Sequence, residues 1–345
     1  MSGALVRSKS PLARGATLSA AKPSVAPEVA PAALKPEAHA QPDGYIPFKV
    51  RFQAWWEGVE PEALVRKGQK SRAAPRRSIE VDAKADLPLD TNWSAARIRI
   101  CDQVWGEGFT APGGAEYGLE YIGPFPEGRA CRLLDMSAGL GGRIAEIAQN
   151  GNITVSGLER DAEFADHAQE RAARLAQDNV QPIAHYNPER LDLQGIKYDT
   201  IVAREVFCGV PDKLALLGAL RNGMRQGGVL AFTDFALAEF DQNEGPVMEN
   251  WDRTEPFRPQ PWSVDEYQDH LDVLRFDVVN FEDDTDKYRS LVVNAWKRIA
   301  EGLESEGLDR AYVDALISEA ELWPHRIRAL ESGQLRLLKV TVRNK

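Results

Sequence analysis

A chain of 345 residues, 43% hydrophobic and 27% charged, has the composition of a soluble globular protein and the length of one large domain or two ordinary ones. No apolar run approaches the roughly 20 residues that span a bilayer. The net charge of −10 divides into +4 over residues 1–92 and −14 over the remainder, and so acidic a main body argues against nucleic acid as its substrate. Arg7, Lys9 and Arg14 are not followed by an apolar stretch, so a secretory signal is not expected, although an Ala/Ser/Arg-rich start is also the composition of an organelle transit peptide. Cys101, Cys131 and Cys208 are too scattered for a disulfide framework or a zinc site, and the five histidines show no metal-ligand spacing. A reducing, cytoplasmic setting without a metal is the expectation.

Residues 1–44, rich in Ala, Pro and Ser, cannot bury enough apolar surface to offset their ordering entropy and are expected to be disordered. Residues 45–65 carry Tyr45, Phe48, Phe52, Trp55 and Trp56 and read as a short segment that docks on the main body. Residues 66–90 return to a charged linker, and the whole of 45–91 is grouped as docking segment and linker. Its basic run Arg66, Lys67, Lys70, Arg72, Arg76 and Arg77 is a solvated linker or a contact for an anionic partner. From residue 92 to 345 the chain reads as one continuous domain.

Within it a helix from Ser94 to about Trp105 precedes a glycine-rich stretch. Strands then alternate with helices: strand 132–136, helix 142–150, strand 153–158, helix 161–177, strands 181–185 and 198–203, helix 211–224 and strand 227–233. That alternation implies right-handed crossovers and a doubly wound, mostly parallel α/β sheet with helices on both faces. A polar loop over 240–262, a helix capped at Ser263, a strand near 275–281, a helical insertion over about 285–331 and a last, antiparallel strand over 335–343 complete the chain.

The first strand ends at Asp135 and runs into Ser137-Ala138-Gly139-Leu140-Gly141-Gly142. A strand, a glycine turn and a helix N-terminus form a pocket of backbone N–H groups that a ligand can approach closely. The second strand ends at Glu159, about twenty residues on, where an acid can take both hydroxyls of a ribose. Asn187, after the third strand, can read an adenine edge through its amide. The fourth strand ends in Arg204-Glu205, a charged pair at the pocket rim that calls for a site role. A nucleoside-containing cofactor is therefore expected. A Rossmann oxidoreductase is the weaker form of that reading, because the turn lacks the Gly-x-Gly-x-x-Gly spacing.

The succession Asp135, Gly139 to Gly142, Glu159, Asn187, Tyr198-Asp199 and Gln226-Gly227-Gly228 resembles that of class I S-adenosylmethionine-dependent methyltransferases. Val104-Trp105-Gly106-Glu107-Gly108-Phe109 with Gly113-Gly114, Ala203-Arg204-Glu205 with Pro211-Asp212-Lys213, Thr233-Asp234-Phe235 and the tail from Trp323 and Arg326 to Lys339 narrow the likeness to the phosphoethanolamine/sarcosine N-methyltransferase group, over residues 98–345. The resemblance implies a Rossmann-like fold, S-adenosyl-L-methionine as cofactor and a small-molecule acceptor, with an amine as the leading choice. It gives the cofactor Asp135, Ser137, Gly139, Gly141, Glu159, Asn187 and Arg204. It also places Glu205 before the substrate.

Glu205, then Asp234, are the candidates to take a proton from the acceptor, and Trp105, Phe109, Phe207 and Trp262 are candidates to enclose a cationic amine. The sequence departs from that group at Ser137, where a glycine is usual. It departs again at Asn187, which replaces an acid, and at Cys101 and Gly209, which stand where the group has a Tyr–His pair. A second reading follows from those departures: a lapsed methyltransferase fold that binds cofactor or partners without transferring methyl groups.

Overall fold

The computed structural model describes residues 93–120, 122, 130–240, 244–302 and 309–345. The expectations for 1–44, for 45–91 and for the basic run 66–77 lie outside the described residues. Seven strands form one sheet: β1 (Cys131–Asp135), β2 (Ile153–Glu159), β3 (Val180–His185), β4 (Tyr198–Arg204), β5 (Met224–Leu237), β6 (Phe276–Asp283) and β7 (Leu335–Asn344). Their order across the sheet is β3-β2-β1-β4-β5-β7-β6. The first five pair in parallel, and β7 runs antiparallel between β5 and β6. This is the doubly wound, Rossmann-like sheet that the alternation of elements implied.

The helices are α1 (Ala95–Trp105), α2 (Gly114–Glu120), α3 (Gly142–Ala148), α4 (Ala162–Leu175), α5 (Lys213–Gly223), α6 (Pro246–Thr254), α7 (Val264–Val273), α8 (Thr285–Gly302) and α9 (Arg310–Glu331). Side-chain caps set many of their starts. Ser94, Asp161, Asp212 and Asp309 each accept a backbone N–H from the first turn that follows. Ser263 and Glu266 form a reciprocal capping box on α7.

Two expectations needed correction. The stretch 240–262 is not all loop, because it holds α6. Pro246 occupies the first helical turn, where its missing N–H costs nothing, and Met248 and Trp251, one turn apart, are buried. The helical insertion divides into α8 and α9, with residues 303–308 outside the described set. α9 packs on α1 and α6, and Trp105, Trp296 and Trp323 from α1, α8 and α9 meet in one apolar cluster.

The order in which successive strands are added reverses between the parallel neighbours β1 and β4, the switch point at which open α/β sheets leave a crevice at their carboxyl ends. Within the sheet, Asp234 of β5 is fully buried and accepts a hydrogen bond from the Tyr267 hydroxyl. Desolvation pushes its pKa up to about 7, against the opposing effects of Tyr267, a backbone N–H at Cys208 and Lys213. The folded state therefore holds this proton over a range in which the unfolded chain has lost it. Its contribution to stability falls as pH rises from about 4 to 7, by a few kcal/mol. Thermal melts of Asp234→Asn across that range are expected to lack this downward slope, whatever their absolute midpoints. An unchanged slope would show that Asp234 does not titrate there.

Candidate functional site

The crevice beyond β1, β2 and β4 opens into a cleft with two joined parts. The inner part, of about 190 Å³, lies over the glycine turn and is lined by Phe109, Thr110, Ser137, Gly139, Arg204 and Glu205. The outer part, of about 940 Å³, runs past Tyr186, Asn187, Gly209 and Phe257. Trp93, Arg97, Glu159, Arg160 and Phe164 line both. The inner part alone is smaller than the several hundred Å³ usual for a ligand of cofactor size, so an elongated ligand must extend through both.

The turn between β1 and α3 is shaped by its glycines and by one knot of polar groups. Gly141 caps α3 at φ 86°, left-handed backbone that a side chain would strain. Asp135, at the end of β1, lies in neither part of the cleft. Arg143 Nε and Nη2 donate to its two carboxylate oxygens at 2.8 and 2.6 Å. Arg143 Nη2 also donates to the Ser137 carbonyl and hydroxyl, both at 2.8 Å, and the Arg204 N–H donates to the same hydroxyl at 2.8 Å. The buried carboxylate thus braces the turn from behind, which corrects its expected place against a cofactor. Ser137, where a glycine was expected, is the link between β1, α3 and β4.

A cation in the first turn of a helix runs against the helix dipole, so Arg143 had to be held by something. That sequence signal was available and was missed.

Glu159 sits where the two parts of the cleft join. Its Oε2 accepts from Gly139 N–H at 2.8 Å and its Oε1 from Asp161 N–H at 3.1 Å. Burial raises its pKa, and these backbone donors work against the rise. Asn187 is exposed on the wall of the outer cleft and spends its carbonyl on the Glu189 N–H at 2.9 Å.

At the end of β4, Arg204 reaches the Pro112 carbonyl at 2.5 Å and Glu205 at 3.4 Å. Glu205 has φ 54° and hangs its N–H on Thr233 O at 2.7 Å, which turns its side chain into the inner cleft. The Tyr288 hydroxyl donates to its Oε2 at 3.2 Å, and Arg326 Nη1 lies 3.7 Å from the same oxygen. Arg326 is itself held bidentate by Glu255, at 2.6 Å on each side. The strand therefore presents the acid, while α8 and α9 grip it.

The structure does not bring every expected residue to this place. Asp234 is sealed in the core by Tyr267, and a carboxylate with no exposed surface cannot reach a substrate. Among the four aromatics proposed as an enclosure, Phe109 lines the cleft. Trp105 packs in the tryptophan cluster, Phe207 packs edge-on to Phe232, and Trp262 stacks on His270. Trp105 and Phe207 are buried in the core, and Trp262, half-buried between α6 and α7, lines neither part of the cleft. The cleft instead takes Trp93, Phe164, Phe257 and Trp323. The Arg97 guanidinium lies 3.7 Å over the Trp93 ring, and Arg160 lies 4.5 Å over Phe257.

Two departures from the resembling group gain a physical account. Cys101, on the buried face of α1, lies in the core and lines neither part of the cleft. At Gly209 a Cβ would meet the Phe257 ring and Arg160 Nη1 at 2.7 Å, because those side chains fill the space that a larger residue would take.

Comparison with known proteins agrees with this geometry. A methyltransferase domain family matches residues 134–230. Phosphoethanolamine N-methyltransferase 3 of Arabidopsis thaliana is 24% identical over 220 residues, 63% of this chain and 42% of that protein. A 27-O-demethylrifamycin SV methyltransferase of Amycolatopsis mediterranei is 25% identical over 177 residues, 51% of this chain and 65% of the relative. The chain thus spans less than half the length of the plant relative. Phosphoethanolamine N-methyltransferase 2 of Haemonchus contortus, in complex with S-adenosyl-L-methionine, superposes with a TM-score of 0.63 at 15% identity over 74% of this chain and 58% of that one. Residues 134–230 thus match the methyltransferase domain family, and the chain around them shares its fold with the solved phosphoethanolamine N-methyltransferase.

Proposed function

We propose that this protein transfers a methyl group from S-adenosyl-L-methionine to a small-molecule acceptor, and that the accepting atom is an amine nitrogen. The observation that carries the reading is the placement of Gly139, Glu159, Arg204 and Glu205 around one cleft at the sheet's switch point. The residues present fit the cofactor. Gly139 lies on the inner cleft at φ 55°, left-handed backbone that suits glycine, and a Cβ there would crowd Thr110 Oγ1 at 3.2 Å. With the cofactor bound, Glu159 would offer its buried carboxylate to the ribose hydroxyls, Asn187 and Tyr186 would hold the base, and Arg204 and Ser137 would hold the amino-acid end. When bound, the cofactor supplies an electrophilic methyl carbon on a sulfonium.

The protein's own contribution is placement and proton handling. Holding an acceptor in line for displacement can supply on the order of 7–11 kcal/mol in well-oriented systems. Glu205 faces the inner cleft through contacts of 3.2–3.7 Å, long enough for its carboxylate to turn toward an ammonium and take its proton. Trp93, Phe164 and Trp323 give the inner cleft an apolar wall. The curated relatives named for phosphoethanolamine N-methylation support an amine as acceptor.

Calorimetric titration with S-adenosylmethionine is expected to give saturable binding. Glu159→Ala should weaken it by about 1.5–3 kcal/mol, the worth of hydrogen bonds to a charged group, or roughly 10- to 100-fold. Labelled methyl groups should then appear on an amine from a small-molecule pool, and Glu205→Ala should abolish that product. Absence of binding at millimolar cofactor would sink the reading, and binding without any product would leave the lapsed-enzyme alternative standing.

A further inference from the structure

Two walls face each other across the inner cleft. One is the glycine loop 137–142, and the other is the turn that follows α1, from Gly106 to Ala111. They meet backbone to backbone, with the Gly142 N–H donating to Gly108 O at 2.9 Å. Gly108, at φ 81°, is backbone that glycine alone samples freely, so the turn has little intrinsic preference for the shape it holds. Its shape must be imposed from outside.

Arg171 of α4 lies behind this seam and lines neither part of the cleft. Its Nη1 donates to Glu107 Oε1 at 2.8 Å, and its Nη2 lies 3.7 Å from Asp102 Oδ1. That same Asp102 oxygen accepts the Gly108 N–H at 2.7 Å. The arginine also underlies both glycine walls. A Cβ at Gly108 would fall 3.2 Å from its Cζ, and a Cβ at Gly141 would fall 3.5 Å from its Cδ. One side chain thus ties the turn to the glycine loop and to the helix that starts just beyond Glu159.

We infer that Arg171, acting through Asp102, is a positioning residue for cofactor binding: it sets the separation of the two walls without touching what lies between them. The inference rests on the functional reading above. Arg171 and Asp102 are partly exposed and Glu107 is largely so, at 17%, 29% and 84% of their side-chain surfaces, and ion pairs of that kind add little to global stability. Losing them should therefore loosen the glycine turn while leaving the fold almost unchanged, which separates a positioning role from a structural one.

The test uses the full chain and S-adenosylhomocysteine, a probe that does not react. In Arg171→Met, which keeps the aliphatic stem, its affinity should fall severalfold, up to about fivefold, the most that about 1 kcal/mol of ion-pair energy can supply. The KM for S-adenosylmethionine should rise in step, with kcat within about twofold and little change in Tm. Arg171→Lys should recover part of the loss.

Asp102→Asn keeps the acceptor for Gly108 and removes only the charge facing Arg171, so it should show the same split and serves if Arg171→Met fails to fold. Arg289→Met breaks a partly exposed pair with Glu331, neither residue lining the cleft, and should leave affinity unchanged. Full affinity in both Arg171→Met and Asp102→Asn would overturn the inference, as would an equal loss in Arg289→Met. A parent protein that fails to bind S-adenosylhomocysteine would overturn the functional reading instead.

Discussion

Gly142→Ala is expected to weaken cofactor binding on the order of 100-fold and to lower stability as well. A Cβ at this position would lie 2.7 Å from the Gly108 carbonyl carbon, 2.8 Å from its oxygen and 2.7 Å from the Phe109 ring. Two of those three atoms are backbone, so no rotamer change relieves the contact. The turn 106–109 must move off the glycine loop, and the Gly142 N–H loses Gly108 O with it. Inserting a methyl into a packed site costs about 1–3 kcal/mol in general. Displacing one wall of a binding cleft by about an ångström costs on the order of 100-fold in function. Calorimetry with S-adenosylhomocysteine and a thermal melt read both effects. Parent-like affinity in a folded variant would show that the seam is not part of the site.

Arg326→Leu is expected to cause the largest loss of stability of any single change discussed. It strips Glu255, whose side chain has no exposed surface, of both its hydrogen bonds. Leaving one member of a buried ion pair uncompensated costs about 3–5 kcal/mol, whereas replacing both members with apolar residues is often neutral. A fall in Tm on the order of 10 °C follows for Arg326→Leu, and Glu255→Leu on the same background should restore most of it. Arg326 also packs 4.9 Å from the Trp323 ring and 3.7 Å from Glu205, so the single variant should lose turnover along with stability. A double variant no more stable than Arg326→Leu would mean that packing, and not charge, accounts for the cost.

Much of the fold was legible because its signals are local. Apolar runs bounded by caps placed β1, β2 and β4, and each cap acts within three residues of itself. The glycine turn and Glu159 were legible for the same reason, since a strand end delivers its next side chain to the crevice whatever packs around it. α6 was missed because a short helix in a polar stretch shows itself only through two buried residues, Met248 and Trp251, whose burial depends on α9.

The site divides along the same line. From the sequence alone came the doubly wound sheet, the glycine turn whose Ser137 to Gly139 line the cleft, and Glu159, Asn187, Arg204 and Glu205 at or just beyond strand ends, which line it too. Tertiary structure alone decided which aromatics face it, choosing Trp93, Phe164, Phe257 and Trp323 over Trp105, Phe207 and Trp262. It alone turned Asp135 into a brace, sealed Asp234 and brought Arg326 and Tyr288 to Glu205 from more than 80 residues away in the chain. The physical reason is that hydrogen-bonding pattern and periodicity act over a few residues. Which face of a tryptophan or a carboxylate meets solvent is settled only when distant helices close over it.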